Sequence, residues 1–222
     1  PLSFFFSHVA EIREQDDTDD GIDARVMGNI FHYAAQRMYT ELIDRSGKNN
    51  TISSDQISLL LADHGRRIQT YIDEAFKKEG GINDFQGENI ILRAVVERFL
   101  LNLLRHDRTL APFTILAMER PFSFSLTINK KGENLTLRTG GIIDRLDMLK
   151  DGTIRVVDYK TGGHQDTDVT LEKIFQNGEH AGYYLQTLLY FLAYIKKAKG
   201  EHKNELPVKP VLFYPAKAAT DD

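Results

Sequence analysis

Gly141-Ile142-Ile143-Asp144-Arg145-Leu146-Asp147, followed across Asp151-Gly152 by Val156-Val157-Asp158-Tyr159-Lys160-Thr161-Gly162, is the part of the chain whose reading decides the fold. Apolar, β-branched runs on either side of an Asp-Gly pair predict two antiparallel strands joined by a hairpin turn. Side chains alternate along a strand, so Asp158 and Lys160 share a face at its end. The hairpin brings Asp144 close to Asp158, within a residue or two of register. Two carboxylates and one ammonium then crowd a small volume beside a core, where like charges ionise together only at a cost. A hard divalent cation, which takes oxygen ligands, removes that cost. Lys160 would then hold or deprotonate a water, and the implied chemistry is metal-dependent phosphodiester hydrolysis. A simpler reading of the same residues is a surface ion pair between Asp158 and Lys160, with Asp144 paired to Arg145 or Arg155.

Outward from this hairpin the period changes. Residues 113–126 and 135–149 read as strands about a turn at Asn129–Asn134, residues 153–159 as a third strand, and 208–214 as a Pro-flanked fourth. A helix from about Glu179 to Lys199 separates the last two. Before Pro112 the spacing is helical. Asp23 caps a helix of about 20 residues whose stripe runs through Val26, Met27, Ile30, Phe31, Ala34, Ala35, Met38, Tyr39, Leu42 and Ile43. Ser53 or Ser54 caps a second helix running to about Lys78 and stopped by Gly80-Gly81, and a third spans about Glu88 to Leu104. Helices, a meander and a further helix and strand predict an α/β (α+β) fold with one central mixed β-sheet, preceded by an α-helical N-terminal half.

Length and composition are those of one sizeable globular domain: 222 residues, 41% hydrophobic and 27% charged. There is no cysteine, which excludes disulfides, thiolate zinc sites, an iron–sulfur cluster and a cysteine nucleophile in this chain. The formal net charge of −4 argues mildly against a nucleic-acid surface. Yet seven of the 32 acids and one of the 28 bases lie between Glu11 and Asp23, in a stretch that reads as a solvated loop, and the rest of the chain is slightly basic. Lys196, Lys197, Lys199, Lys203 and Lys209 gather near the last helix. Asp16-x-Thr18-x-Asp20-Gly21 opens like a calcium loop but has Met27 where a bidentate Glu is required. No phosphate-binding Gly-rich Lys loop, His-Glu-x-x-His or Gly-x-Ser-x-Gly occurs, and Asn-x-Thr at Asn49 and Asn134 means little without secretion. The longest apolar run, Tyr183 to Ile195, is broken by Gln186 and Thr187, so a soluble, cytoplasmic protein with no membrane partner is expected. The N-terminus carries no signal peptide and reads as cut from something longer.

The paired motifs Gly-x-x-Asp144-Arg-x-Asp and Val-x-Asp158-Tyr-Lys160-Thr-Gly closely resemble the core of the PD-(D/E)XK nuclease superfamily, in particular its RecB/AddB-like branch. The resemblance spans nearly the whole chain and implies a restriction-endonuclease-like core. It also implies a single nuclease domain over 1–222, with a helical part at 1–110 and the catalytic sheet and helix at 111–222, cut from a longer AddB-like protein. His32, in Gly28-Asn-Ile-Phe-His32, matches the histidine that joins the two aspartates on the metal, Mg²⁺ or Mn²⁺. The main-chain carbonyl of Tyr159 would be a further ligand. Gln186-x-x-x-Tyr190 matches the helix motif facing site and DNA, and Glu119 in Met-Glu119-Arg-Pro-Phe matches the acid on the preceding strand. The metal set is thus His32, Asp144, Asp158 and Tyr159; the catalytic set is Asp144, Asp158, Lys160, Glu119, Gln186 and Tyr190.

Plainer readings remain for each. A lone His is more often a packing or surface residue, a tyrosine stripe holding Gln186 and Tyr190 is usually core, and Glu119 could pair with Arg120 or Arg145. Gly28 would leave room for the strands to approach, His106 and His164 would be solvated, and Asp147 would anchor Arg145 or a neighbouring strand. Four cysteines often hold an iron–sulfur cluster in relatives; none is present, so a cluster-free version is expected. The implied function is DNA end processing as an exonuclease in recombination or repair, with DNA and either a helicase–nuclease subunit or further domains of the same chain as partners. A catalytically silent DNA-binding or scaffold module is the alternative. A site-specific endonuclease would need a base-reading element that the sequence does not reveal.

Overall fold

The structure, a computed structural model, describes residues 24–47, 49–63, 65–130, 132–162, 181–200 and 207–218. The acidic stretch 11–23, with the expected cap Asp23, lies outside the described residues, as do His164, Lys203 and the side chains of Lys196, Lys197 and Lys199.

Helix α1 (Ala24–Ser46) buries Ile30, Phe31, Ala34, Ala35, Met38, Tyr39 and Leu42, the centre of the expected stripe. A two-residue strand β1 (Thr51–Ile52) follows; its brevity hid it in the linker. Ser53 then caps α2 (Ser54–Ala62) with a full capping box to Gln56. The single second helix expected from the sequence is two. Helix α2 stops at Ala62, and α3 (Arg66–Glu79) begins after Gly65, whose φ of 75° is left-handed and open to glycine at little cost. Asp63 spans the break by accepting from Arg67 Nε at 3.1 Å. Helix α4 (Glu88–Leu110) runs past the expected Leu104 because Asp107 is itself a core residue.

Strands β2 (Phe113–Lys130), β3 (Glu133–Leu149), β4 (Ile154–Tyr159) and β5 (Val208–Phe213) join β1 in one sheet of order β1-β2-β3-β4-β5. Pairing is antiparallel through β4 and parallel between β4 and β5, so the sheet is mixed as expected. The crossover to β5 includes α5 (Ala181–Gly200). Every residue of β4 is buried because both faces are covered. Val157 and Tyr159 pack into the core formed with α1 and α4, whereas Ile154 and Val156 pack beneath α5 with Leu146 and Tyr190. Among the described residues, no helix is long and apolar enough to cross a membrane.

A buried charge network ties the helical half to the sheet. Arg145 donates to both carboxylate oxygens of Asp107 on α4, Nη2 to Oδ1 at 3.0 Å, and its Nε lies 2.9 Å from Asp147. Arg155 grips Asp147 through two bonds of 2.8 and 2.7 Å, and Tyr39 on α1 donates to Asp107. The rings of Tyr39, Phe113 and Tyr159 surround the Arg145 guanidinium. Burial works against the Asp107 charge, but the two guanidiniums prevail and hold its carboxyl below the ordinary range. Arg145 and Arg155 therefore do not serve Asp144, contrary to one sequence reading, while Asp147 anchors Arg145 as expected. Removing one partner of such a pair strands a buried charge. Asp107→Ala should lower unfolding free energy by about 3–5 kcal/mol in urea titration, whereas Arg37→Ala, which opens an exposed pair with Glu74, should not shift the midpoint measurably. Equal midpoints for wild type and Asp107→Ala would contradict the role given to the network.

Candidate active site

The face of β3 and β4 opposite that network carries Asp144 and Asp158. Asp144 is buried, and its Oδ2 accepts the backbone N–H of Tyr159 at 2.6 Å across the β3–β4 pairing. Its Oδ1 lies 3.6 Å from Nδ1 of His32, which α1 delivers from the helical side. The Tyr159 ring, edge-on to Phe31 and His32, fixes the imidazole laterally.

Glu119 on β2 completes this corner, its Oε1 3.3 Å from His32 Nδ1. Its φ of 45° is left-handed in the middle of a strand, a strained backbone for a residue with a side chain. Neither Arg120 nor Arg145 is its partner in the described contacts; the residues alone suggest those pairings, and only the family resemblance points Glu119 toward the site. His32, Glu119 and Asp144 offer one nitrogen and two oxygen atoms all within 4.8 Å of one another. An imidazole and two carboxylates at that spacing fit a hard divalent cation.

Asp158, also buried, is turned toward Lys160, whose Nζ stands 2.8 Å from its Oδ2. The ion pair read from Asp-x-Lys thus exists, and α5 extends it. Gln186 Oε1 accepts from Lys160 Nζ at 3.0 Å, Gln186 Nε2 donates to the Tyr190 hydroxyl, and the ring of Tyr183 lies 4.6 Å beneath the ammonium. Tyr183, noted in the sequence only as part of a stripe, is a direct neighbour of Lys160. Gly141 leaves room for Tyr190: a Cβ there would come within 3.0 Å of the hydroxyl. Gly28 is less constrained, since its Cβ would make ordinary contact, at 3.6 Å, with Thr161. His106 is half-buried against Phe213 rather than solvated, and burial lowers its pKa.

All of His32, Glu119, Asp144, Asp158, Lys160, Gln186 and Tyr190 thus meet at one end of β4, with the Tyr159 backbone among them. Burial pushes the Asp144 carboxyl up to about 7; His32 pulls it down and Asp158 adds to the rise. Burial also raises Asp158, against the pull of Lys160. For His32, burial opposes the charged form, but the Glu119 bond and the surrounding carboxylates outweigh it and raise its pKa.

A family model of the PD-(D/E)XK nuclease superfamily matches residues 1–222, and the chain belongs to that superfamily. PD-(D/E)XK proteins are nucleases that hydrolyse phosphodiester bonds and generally use divalent metal ions. No curated protein and no solved structure matches the chain.

Ionising Asp144 costs more in the folded protein than in the unfolded chain, so without metal this group's contribution to stability is full below its ordinary value of 3.8 and is lost as pH rises through about 7. A cation binds the deprotonated ligands and reverses that loss. Mn²⁺ should therefore raise the melting temperature, relative to EDTA, more at pH 8 than at pH 6. Equal increments at the two pH values would contradict this account of Asp144.

Proposed function

We propose that the chain is a Mg²⁺- or Mn²⁺-dependent deoxyribonuclease of the RecB/AddB-like branch, acting as one domain on DNA ends in cytoplasmic recombination or repair. The observation that carries the reading is the convergence of His32 from the helical half, Asp144 and Asp158 from the hairpin, and the Lys160–Gln186–Tyr190 chain from α5. Asp144 and His32 would hold the metal, with Asp158, Glu119 and the Tyr159 carbonyl completing its surroundings. When bound, the cation polarises a phosphoryl oxygen and lowers the pKa of a water.

The protein's own part is positioning and charge. An ammonium has three N–H donors. Asp158 and Gln186 take two directions around Lys160 Nζ and the Tyr183 ring lies beneath it; a water or a phosphate oxygen would approach from the side these three leave. Held so, Lys160 orients the attacking water and offsets the negative charge that grows on phosphorus. Gln186 receives its own orientation from Tyr190, which Phe122 and Gly141 hold in place at the base of β2 and β3.

The test is incubation of end-labelled linear and closed circular DNA with Mg²⁺ or Mn²⁺. Wild type should degrade the linear form and spare the circle; Lys160→Ala should slow cleavage by about 10²-fold or more while keeping its thermal transition. Wild-type rates in both Lys160→Ala and Asp158→Asn would sink the assignment. Absence of both cleavage and Mn²⁺ binding in wild type would favour a silent DNA-binding scaffold.

A further inference from the structure

Strands β2 and β3 continue well past the rest of the sheet. Strand β1 pairs only with Phe113 and Thr114, and β4 only with Arg145 to Met148, whereas β2 and β3 stay paired from Arg120 opposite Ile143 out to Lys130 opposite Glu133. This two-stranded ribbon leaves the sheet at the site itself. Glu119 and Asp144 directly adjoin its first pair, and the Phe122 ring lies 4.8 Å from that of Tyr190.

The ribbon's sequence alternates, with Phe122, Phe124, Leu126 and Ile128 interleaved by Ser123, Ser125, Thr127 and Asn129. Register sets those four polar residues opposite Gly140, Arg138, Thr136 and Asn134. Opposed residues share a face, so one side is a ladder of hydroxyls and amides with a guanidinium among them. Thr127 and Thr136 meet at 3.4 Å, and Asn129 Nδ2 donates to Asn134 Oδ1 at 3.0 Å across that face. Between positions 120 and 142 the sequence has Arg120, Lys130, Lys131 and Arg138 against the single acid Glu133, in a chain of net charge −4. Arg138, on the polar face, is exposed and has no ion-pair partner among the described residues, and Arg120 is exposed on the opposite face at the ribbon's base.

Ser, Thr, Asn and Arg side chains are those that bind phosphate and sugar oxygens, and a two-stranded ribbon fits the major groove. Extended backbone from Arg120 to Lys130 spans about 35 Å, close to one turn of B-form DNA. We infer that the ribbon is a DNA-engaging arm whose polar face, with Arg138 at its middle, lies along the duplex beside the cleavage site. The inference rests on the nuclease reading and adds a surface to it. Contacts of this chemistry grip the backbone without reading bases, which suits an enzyme that works from ends rather than at a sequence.

Binding of a labelled duplex longer than one helical turn, measured in Ca²⁺ across a salt series, tests the arm. Arg138→Ala should bind several-fold more weakly and show a salt slope shallower by about one; Arg138→Lys should keep the slope. An unchanged Mn²⁺-induced rise in melting temperature would show that the variants retain the site. Wild-type affinity and slope in the alanine variant would overturn the inference. So would a wild-type dimer that Leu135→Ser, at an exposed apolar position of the ribbon, converts to monomer without loss of DNA binding, since the ribbon would then serve self-association. A wild type that neither binds nor cleaves DNA overturns the nuclease reading itself, an outcome distinct from insensitivity of the variants alone.

Discussion

A guanidinium enclosed between a helix and a sheet must be matched by charge, and Arg145 is matched by Asp107, Asp147 and Tyr39's partner bond to Asp107. Everything at the site follows from that match. Neighbouring residues on a strand point to opposite faces, so holding Arg145 toward α1 and α4 obliges Asp144 to face the other way, where His32 and α5 converge. A slip of one residue in β3 would exchange the two and set Asp144 against Asp107. The network that stabilises the fold and the register that places the chemistry are one constraint.

The site is asymmetric in its charge compensation. Asp158 has a resident cation in Lys160, which Gln186 and Tyr183 hold from α5. Among the described residues, the cationic group that Asp144 and Glu119 share is the imidazole of His32. Burial raises the Asp144 pKa further than His32 pulls it down, and a cation at this corner would favour the charged form. The two halves divide the labour: one corner could hold a metal ion, the other keeps an ammonium in a fixed place.

Much of this was legible in the sequence because strand alternation and the Asp151-Gly152 turn fix which side chains share a face. The Asp144–Asp158–Lys160 grouping, the helical half and the mixed sheet all follow from such local patterns. What stayed hidden depends on distant partners or on backbone geometry. Nothing near Asp107 in sequence announces that it meets Arg145, and the left-handed backbone of Glu119, which only the family resemblance brings into the site, has no mark in Met-Glu-Arg-Pro-Phe. The break between α2 and α3 hangs on one glycine inside an otherwise continuous helical pattern. The reach of β2 and β3 beyond the sheet is set by where their neighbours stop, which no window along either strand contains.

The short loop between β3 and β4 has a consequence for how the enzyme comes into being. Asp144 and Asp158 are joined by a tight hairpin, so closing it costs little chain entropy and their pairing is a local event. His32 lies on a helix far away in the chain, and Lys160 is held by a residue of α5. A half-folded chain can therefore bring the two aspartates together but cannot assemble them with His32 and Lys160 in place. On the proposed reading, competence to cut would arrive only with the docking of both flanking helices, and a nascent or partly unfolded chain would be chemically quiet.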